Sequence, residues 1–266
     1  MRYSNAILRK ELVDALKNWE VVYTLLAVPV AIILLLSIII NQDAGETCFI
    51  QKILELENIP FLIDKLGLSS YGKEASFFLL MWNTIYFYAI LIIAFPIPAV
   101  LAATSITGEK EQGTIEILFT SPVPDRVIIY SKLLASILPP LIISFICYFF
   151  AIVYSYINFG FEVAIYFFHG KWILLHIIVL PVFIIIAACI GMTVSITKNS
   201  SRAAIMTTFY AIIPILLLAI PIIYGEIIFD IRASIVAILL GFFLLTGVIY
   251  IMLKKFDKEK IILRYK

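Results

Sequence analysis

The chain has 266 residues, of which 63% are hydrophobic and 14% charged, and its formal net charge is +2. Mean hydropathy is +1.07. Soluble domains carry roughly 25% charged residues, so this composition excludes a soluble enzyme, a disordered chain and a nucleic-acid binder, and predicts an all-α protein that crosses a membrane several times.

In residues 1–20, Ile7, Leu8, Leu12, Val13 and Leu16 cluster on one side of a helix, away from Arg9, Lys10, Asp14 and Lys17. That pattern predicts an in-plane helix at the membrane interface, with Trp19 and Tyr23 in the aromatic belt. It equally fits the positively charged flank of a first span. Val21–Ile40 is that span, expected to act as the signal anchor. Residues 41–75 form the largest connection, and Phe49–Leu66 reads as short amphipathic helices around Pro60. A solvated linker and a substrate-contacting cap both fit.

Five more apolar runs follow: Ser76–Thr107, Leu133–Asn158, Trp172–Thr197, Ala203–Tyr224 and Ala233–Leu253. A hydrocarbon core about 30 Å thick needs roughly 20 apolar residues. None of the six runs holds Lys, Arg, Asp or Glu, so each should insert unaided. Ser76–Thr107 would extend about 48 Å as a straight helix, longer than the membrane needs. It carries Pro96 and Pro98, and the third run carries Pro139 and Pro140. Proline removes a backbone donor and clashes with the preceding turn. Two readings stand: fixed packing kinks, or hinges that let the two helices move together.

Between those proline-bearing runs lies Gly108–Lys132, GEKEQGTIEILFTSPVPDRVIIYSK. Glu109 to Phe119 can form a short helix in which Ile115, Leu118 and Phe119 make an apolar stripe opposite Glu109, Glu111 and Glu116. Ser121-Pro122-Val123-Pro124 stops it. Asp125 is a plausible N-cap for the next helix, so the third helix should begin outside the lipid. The coupling segment is bounded as residues 108–125, and residues 254–266 form a basic tail.

Six spans place both termini on one side. Lys52, Lys65, Lys73, Lys171 and Arg232 fall on the other side, and the remaining 15 of the 20 Lys and Arg lie with the termini. The positive-inside rule therefore predicts cytoplasmic termini in a plasma-membrane protein.

Gly108, Glu109, Lys110, Glu111, Gly113, Thr114, Glu116, Leu118, Ser121, Pro122, Arg126 and Lys132 form a pattern that resembles the signature of type-2 ABC transporter permeases. Leu8-Arg9-Lys10-Glu11-Leu12 is similar to the Arg-Lys-Glu-Leu of the same family. The resemblance implies an interfacial connector helix in residues 1–20. It also implies that the segment containing Glu109, Lys110, Glu111, Gly113, Thr114, Ile115, Glu116, Leu118, Phe119, Pro122 and Arg126 is a coupling helix docked on a separate cytoplasmic ABC ATPase. Two permease subunits, identical or different, would form the pathway. ATP and magnesium would sit on the ATPase, with no cofactor in this chain. Family members commonly place a re-entrant hairpin before the last span; here only the short Gly225–Arg232 is available for one.

Gly108 to Thr114 only superficially matches a phosphate-binding loop. The required Lys is missing, and no strand precedes it. His169 and His176 lack a third ligand at metal spacing; His169 reads as interfacial, while His176 and Asn83 read as hydrogen-bonded bundle residues. The absence of carboxylates within the runs disfavours an ion-coupled carrier. The expected function is the permease subunit of an ATP-driven exporter. The rival is a non-transporting membrane scaffold that recruits a cytoplasmic partner through the same segment.

Overall fold

The computed structural model describes residues 13, 31, 58–65, 67–83, 94–120, 123–223 and 246–250. Every regular element among them is helical. We number the helices α1 (Asn58–Lys65), α2 (Lys73–Met81), α3 (Pro96–Glu111), α4 (Ile115–Thr120), α5 (Asp125–Phe159), α6 (Phe161–Tyr166), α7 (Gly170–Leu174), α8 (Leu180–Thr197) and α9 (Ser201–Ile223). A π turn, Leu175–Val179, joins α7 to α8. The connector helix, the basic tail and Gly225–Arg232 lie outside the described residues, Val13 apart. So do the first and sixth spans, apart from Ala31 and 246–250.

Two continuous helical stretches, Val127–Phe159 and Trp172–Thr197, are long and apolar enough to cross a membrane. They coincide with the third and fourth expected spans, and α9 occupies the fifth. The 35 residues of α5 reach about 52 Å, more than the roughly 30 Å of a hydrocarbon core, and the helix begins eight residues ahead of the apolar run Leu133–Asn158. Its N-cap is Pro124 and Asp125 opens the first turn, so the helix starts one residue earlier than expected. Pro139 and Pro140 lie inside α5. Pro96 stands instead at the start of α3, where its missing N–H is not needed. The second run is therefore broken at Phe95 rather than continuous. Pro181 follows the π turn, whose Leu180 N–H reaches back to Leu175; a π turn is one way for a helix to accommodate an unfillable hydrogen bond.

The interior runs along a seam between α3 and α8. Ala99, Ala103 and Thr107 repeat every four residues on α3, as do Ala187, Gly191 and Ser195 on α8, and all six are buried. Small side chains let two backbones approach closely, which is how apolar helices associate in lipid. The approach is tightest at Gly191, where a Cβ would lie 2.1 Å from the Ala99 carbonyl oxygen.

Helix α5 shows the polarity expected in lipid. It buries Ser131, Ser136, Ser144, Cys147, Ala151 and Ser155, and exposes Ile142, Phe145, Ile146, Phe149, Val153 and Ile157. The bulky apolar residues face outward because hydrocarbon, unlike water, does not penalise them.

At the Trp82 end, Phe78, Trp82, Tyr154, Phe159, Phe167 and Trp172 pack into an aromatic cluster. Asn83 donates to the Leu79 carbonyl (2.6 Å) and the Tyr166 hydroxyl (2.9 Å). His176 Nδ1 lies 2.8 Å from the Trp172 carbonyl, and its ring stacks on Tyr148 at 4.0 Å. A carbonyl only accepts, so that nitrogen carries the proton. Both residues are hydrogen-bonded members of the bundle, as expected.

Candidate functional site

The expected helix from Glu109 to Phe119 is two helices. Helix α3 runs through Glu111, then Gly113 turns the chain with φ +68°. Gly113 N–H donates to the Lys110 carbonyl (3.1 Å) and Thr114 N–H to the Glu109 carbonyl (3.0 Å). This reciprocal pair satisfies carbonyls that the helix end would leave open, and glycine takes the left-handed position without a Cβ penalty. The Thr114 hydroxyl also donates to Glu109 Oε2. Helix α4 restarts at Ile115.

Glu109, Lys110 and Glu111 each reach a different helix. Successive helical residues are rotated about 100° apart, so three in a row sweep more than half of the helix circumference. Glu109 Oε1 lies 3.7 Å from Lys132 Nζ of α5, which also donates to the Ser105 carbonyl at 2.8 Å. Lys110 is fully buried and points at the end of α8, donating to the carbonyls of Ser195 (3.1 Å), Ile196 (3.0 Å) and Lys198 (2.6 Å). A helix leaves its last carbonyls unpaired and its C-terminus partially negative, and the ammonium answers both. Glu111 turns to the start of α9. Its carboxylate accepts from Ser201 N–H (2.8 Å) and Ser201 Oγ (2.6 Å). These bonds, with the Arg202 charge, hold its carboxyl below the ordinary carboxylate range.

Ser195 completes the junction. Its Oγ accepts from the backbone N–H groups of Ile106 (3.0 Å) and Thr107 (3.1 Å). Ser201 Oγ lies 3.3 Å from Thr107 Oγ1. One end of α3 is thereby joined to α5, α8 and α9.

Helix α4 presents its residues differently from the stripe expected of it. Ile115 is 0% exposed and packs with Ala102, Ile106, Val123, Ile128 and Ile129, with Leu118 half-buried against the same cluster. That stripe therefore faces the protein's own helices. The outward residues are Glu116, Thr120 and Ile117, the last 72% exposed. Helical periodicity correctly groups Ile115 with Leu118 but cannot say what covers them. Pro122 and the side chains of Phe119 and Arg126 lie outside the described residues.

The family model described as ABC-2 family transporter protein matches residues 5–255, nearly the whole chain. The chain belongs to the ABC-2 transporter family. It is a membrane permease component of an ABC transporter, a class of subunit that works with an ABC ATPase partner. No curated protein and no solved structure matches it.

The motif names the junction residues Glu109, Lys110, Glu111 and Lys132, whereas Ser195 and Ser201 complete it from other segments. Lys132 was visible as the Lys opening the third run. Ser195 carried a signal in its four-residue spacing from Gly191, and Ser201 carried none.

Proposed function

We propose that this chain is the permease subunit of an ATP-driven exporter in the plasma membrane, with both termini and α4 on the cytoplasmic side. A separate cytoplasmic ATPase docks on α4, meeting Glu116, Ile117 and Thr120. Two permease subunits, identical or different, form the pathway. ATP and magnesium are held by the ATPase. Its closure pushes on α4, and alternating access follows from a shift between two arrangements of the helices. The break at Phe95, with Pro96 and Pro98 in the turn that follows, and the proline pair Pro139-Pro140 absorb the bend.

The observation that carries this reading is the wiring of the segment: α4 leaves Ile117 72% exposed, while the turn behind it is bonded into three other helices. An outward apolar residue on a short helix with a stiff internal root suits transmission of a push.

The test is co-expression with an ABC ATPase encoded beside it. The two should copurify, the complex should hydrolyse ATP, and the chain alone should neither bind nor hydrolyse it. Nucleotide turnover by the isolated chain would overturn the subunit reading. Copurification without ATP-driven movement of any solute would favour the scaffold.

A further inference from the structure

The three tethers at the end of α3 differ in kind. Glu111 is exposed, and its bonds to Ser201 compete with water. Lys132 is buried; it donates to the Ser105 carbonyl of α3 at 2.8 Å and approaches Glu109 to 3.7 Å, tying α3 to α5. Lys110 is fully buried, and its ammonium is ringed by three carbonyls of one helix end. A charge that loses its partners while still shielded from water incurs a large penalty. This contact therefore resists separation more than the exposed Glu111–Ser201 contact does, and unlike Lys132 it ties α3 to α8.

Lys110 also belongs to the turn that carries α4. Its own carbonyl accepts from Gly113 N–H, Thr114 N–H bonds to Glu109, and Leu118 N–H bonds to Thr114. Few residues separate α4 from the ammonium, and each is hydrogen-bonded to the next turn. Behind Lys110, the small-residue seam packs α3 directly on α8, with Ser195 Oγ bonded to Ile106 and Thr107.

We propose that Lys110 is the positioning residue that carries displacement of α4 into α8, so that the end of α3 and the end of α8 move as one body during the transport cycle. This rests on the proposed docking of an ATPase at α4. The Glu111–Ser201 contact steadies α9 but does not carry the motion into α8.

The test uses the full chain in complex with its ATPase in lipid nanodiscs. Nitroxide labels stand at Gln112, in the turn after α3, and at Asn199, in the turn after α8, with Cys48, Cys147 and Cys189 replaced by alanine. Pulsed electron paramagnetic resonance reads the label separation without nucleotide and with ATP. The wild-type background should give one distance, unchanged by ATP. Lys110→Met keeps the stem and removes the ammonium; its distance should be single without nucleotide, then shift and broaden with ATP while hydrolysis continues. Glu111→Gln should retain the unchanged distance. A distance that shifts with ATP in the wild-type background would overturn the proposal, and this arm decides the matter even if Lys110→Met fails to assemble. A fixed distance in an assembled Lys110→Met complex would overturn it too, as would a shift confined to Glu111→Gln. Failure of the wild-type chain to bind the ATPase would instead remove the docking reading, and this inference with it.

Discussion

Gly191 of α8 faces Ala99 of α3 across a gap that admits no side chain: a Cβ at Gly191 would lie 2.1 Å from the Ala99 carbonyl oxygen and 3.1 Å from Ala102 Cβ. The obstacle is backbone, so the helices must separate to make room. Overpacking a tight interior costs about 1–3 kcal/mol, and here the loss extends along the seam. Gly191→Ala should therefore lower the thermal unfolding midpoint in detergent. Gly108→Ala is the comparison. Nothing lies within 4 Å of a Cβ there, and alanine in a helix is favoured over glycine by about 0.5–1 kcal/mol. Gly108→Ala should leave the midpoint unchanged or raise it, although Gly108 opens the family motif.

The seam shows what a hydropathy reading registers and what it passes over. The apolar runs at Leu133–Asn158, Trp172–Thr197 and Ala203–Tyr224 were legible because transfer to lipid depends on summed side-chain hydrophobicity, and they are covered by α5, by the continuous stretch from Trp172 through α8, and by α9. Close approach depends on side-chain size instead. Ala, Gly, Ser and Thr at four-residue spacing are nearly silent on a hydropathy scale, although the spacing itself was there to be read.

The segment from Gly108 to Lys132 was half legible. Its turn chemistry follows from Gly113, and its apolar stripe from the spacing of Ile115 and Leu118. Lys110 reads in sequence as part of the motif expected to face an ATPase, not as a buried tether. Its burial depends on the end of α8, some 85 residues later, offering three carbonyls at that point.

Gly113 offers a second prediction. At φ +68° a side chain is strained, and left-handed geometry costs roughly 1–2 kcal/mol for most residues but less for asparagine. Gly113→Val should lower the unfolding midpoint and loosen α4, raising hydrogen exchange at the Thr114 and Leu118 amides. Gly113→Asn should do so less. Equal behaviour of the two variants would show that the turn is not held in this conformation.

Glu111 sets a pH dependence. Its carboxyl titrates below the ordinary value of 4.5, chiefly because Ser201 donates to the ionised form. A depressed folded value means that the carboxylate adds stability above the unfolded value. That stability is lost as the pH falls through the lower folded one. The stability difference between wild type and Glu111→Gln should thus be constant above about pH 4.5 and close below it. A difference that stayed constant through the acid range would mean that the ionised carboxylate is not what Ser201 holds.

Removing Lys132 separates two roles of the junction. Lys132→Met removes the ammonium that the Ser105 carbonyl accepts from in addition to its own helix N–H, and takes the cation from Glu109. A hydrogen bond from a charged group contributes about 1.5–3 kcal/mol. The variant should unfold at lower temperature, and Glu109→Gln combined with it should add little further loss. Fully additive losses would show that the two residues act independently despite their 3.7 Å separation.

The central claim is that α4 is the docking element, with Ile117 outward and Ile115 inward. A cysteine at Ile117, in a background freed of native cysteines, reports on it directly. In nanodiscs the Ile117→Cys thiol should react rapidly with a water-soluble maleimide, and bound ATPase should suppress that reaction. A cysteine at Phe61, exposed on α1, should label at the same rate with or without the ATPase. Protection at position 117 but not 61 is the result expected of a coupling helix; labelling at position 117 that bound ATPase leaves unchanged would contradict it.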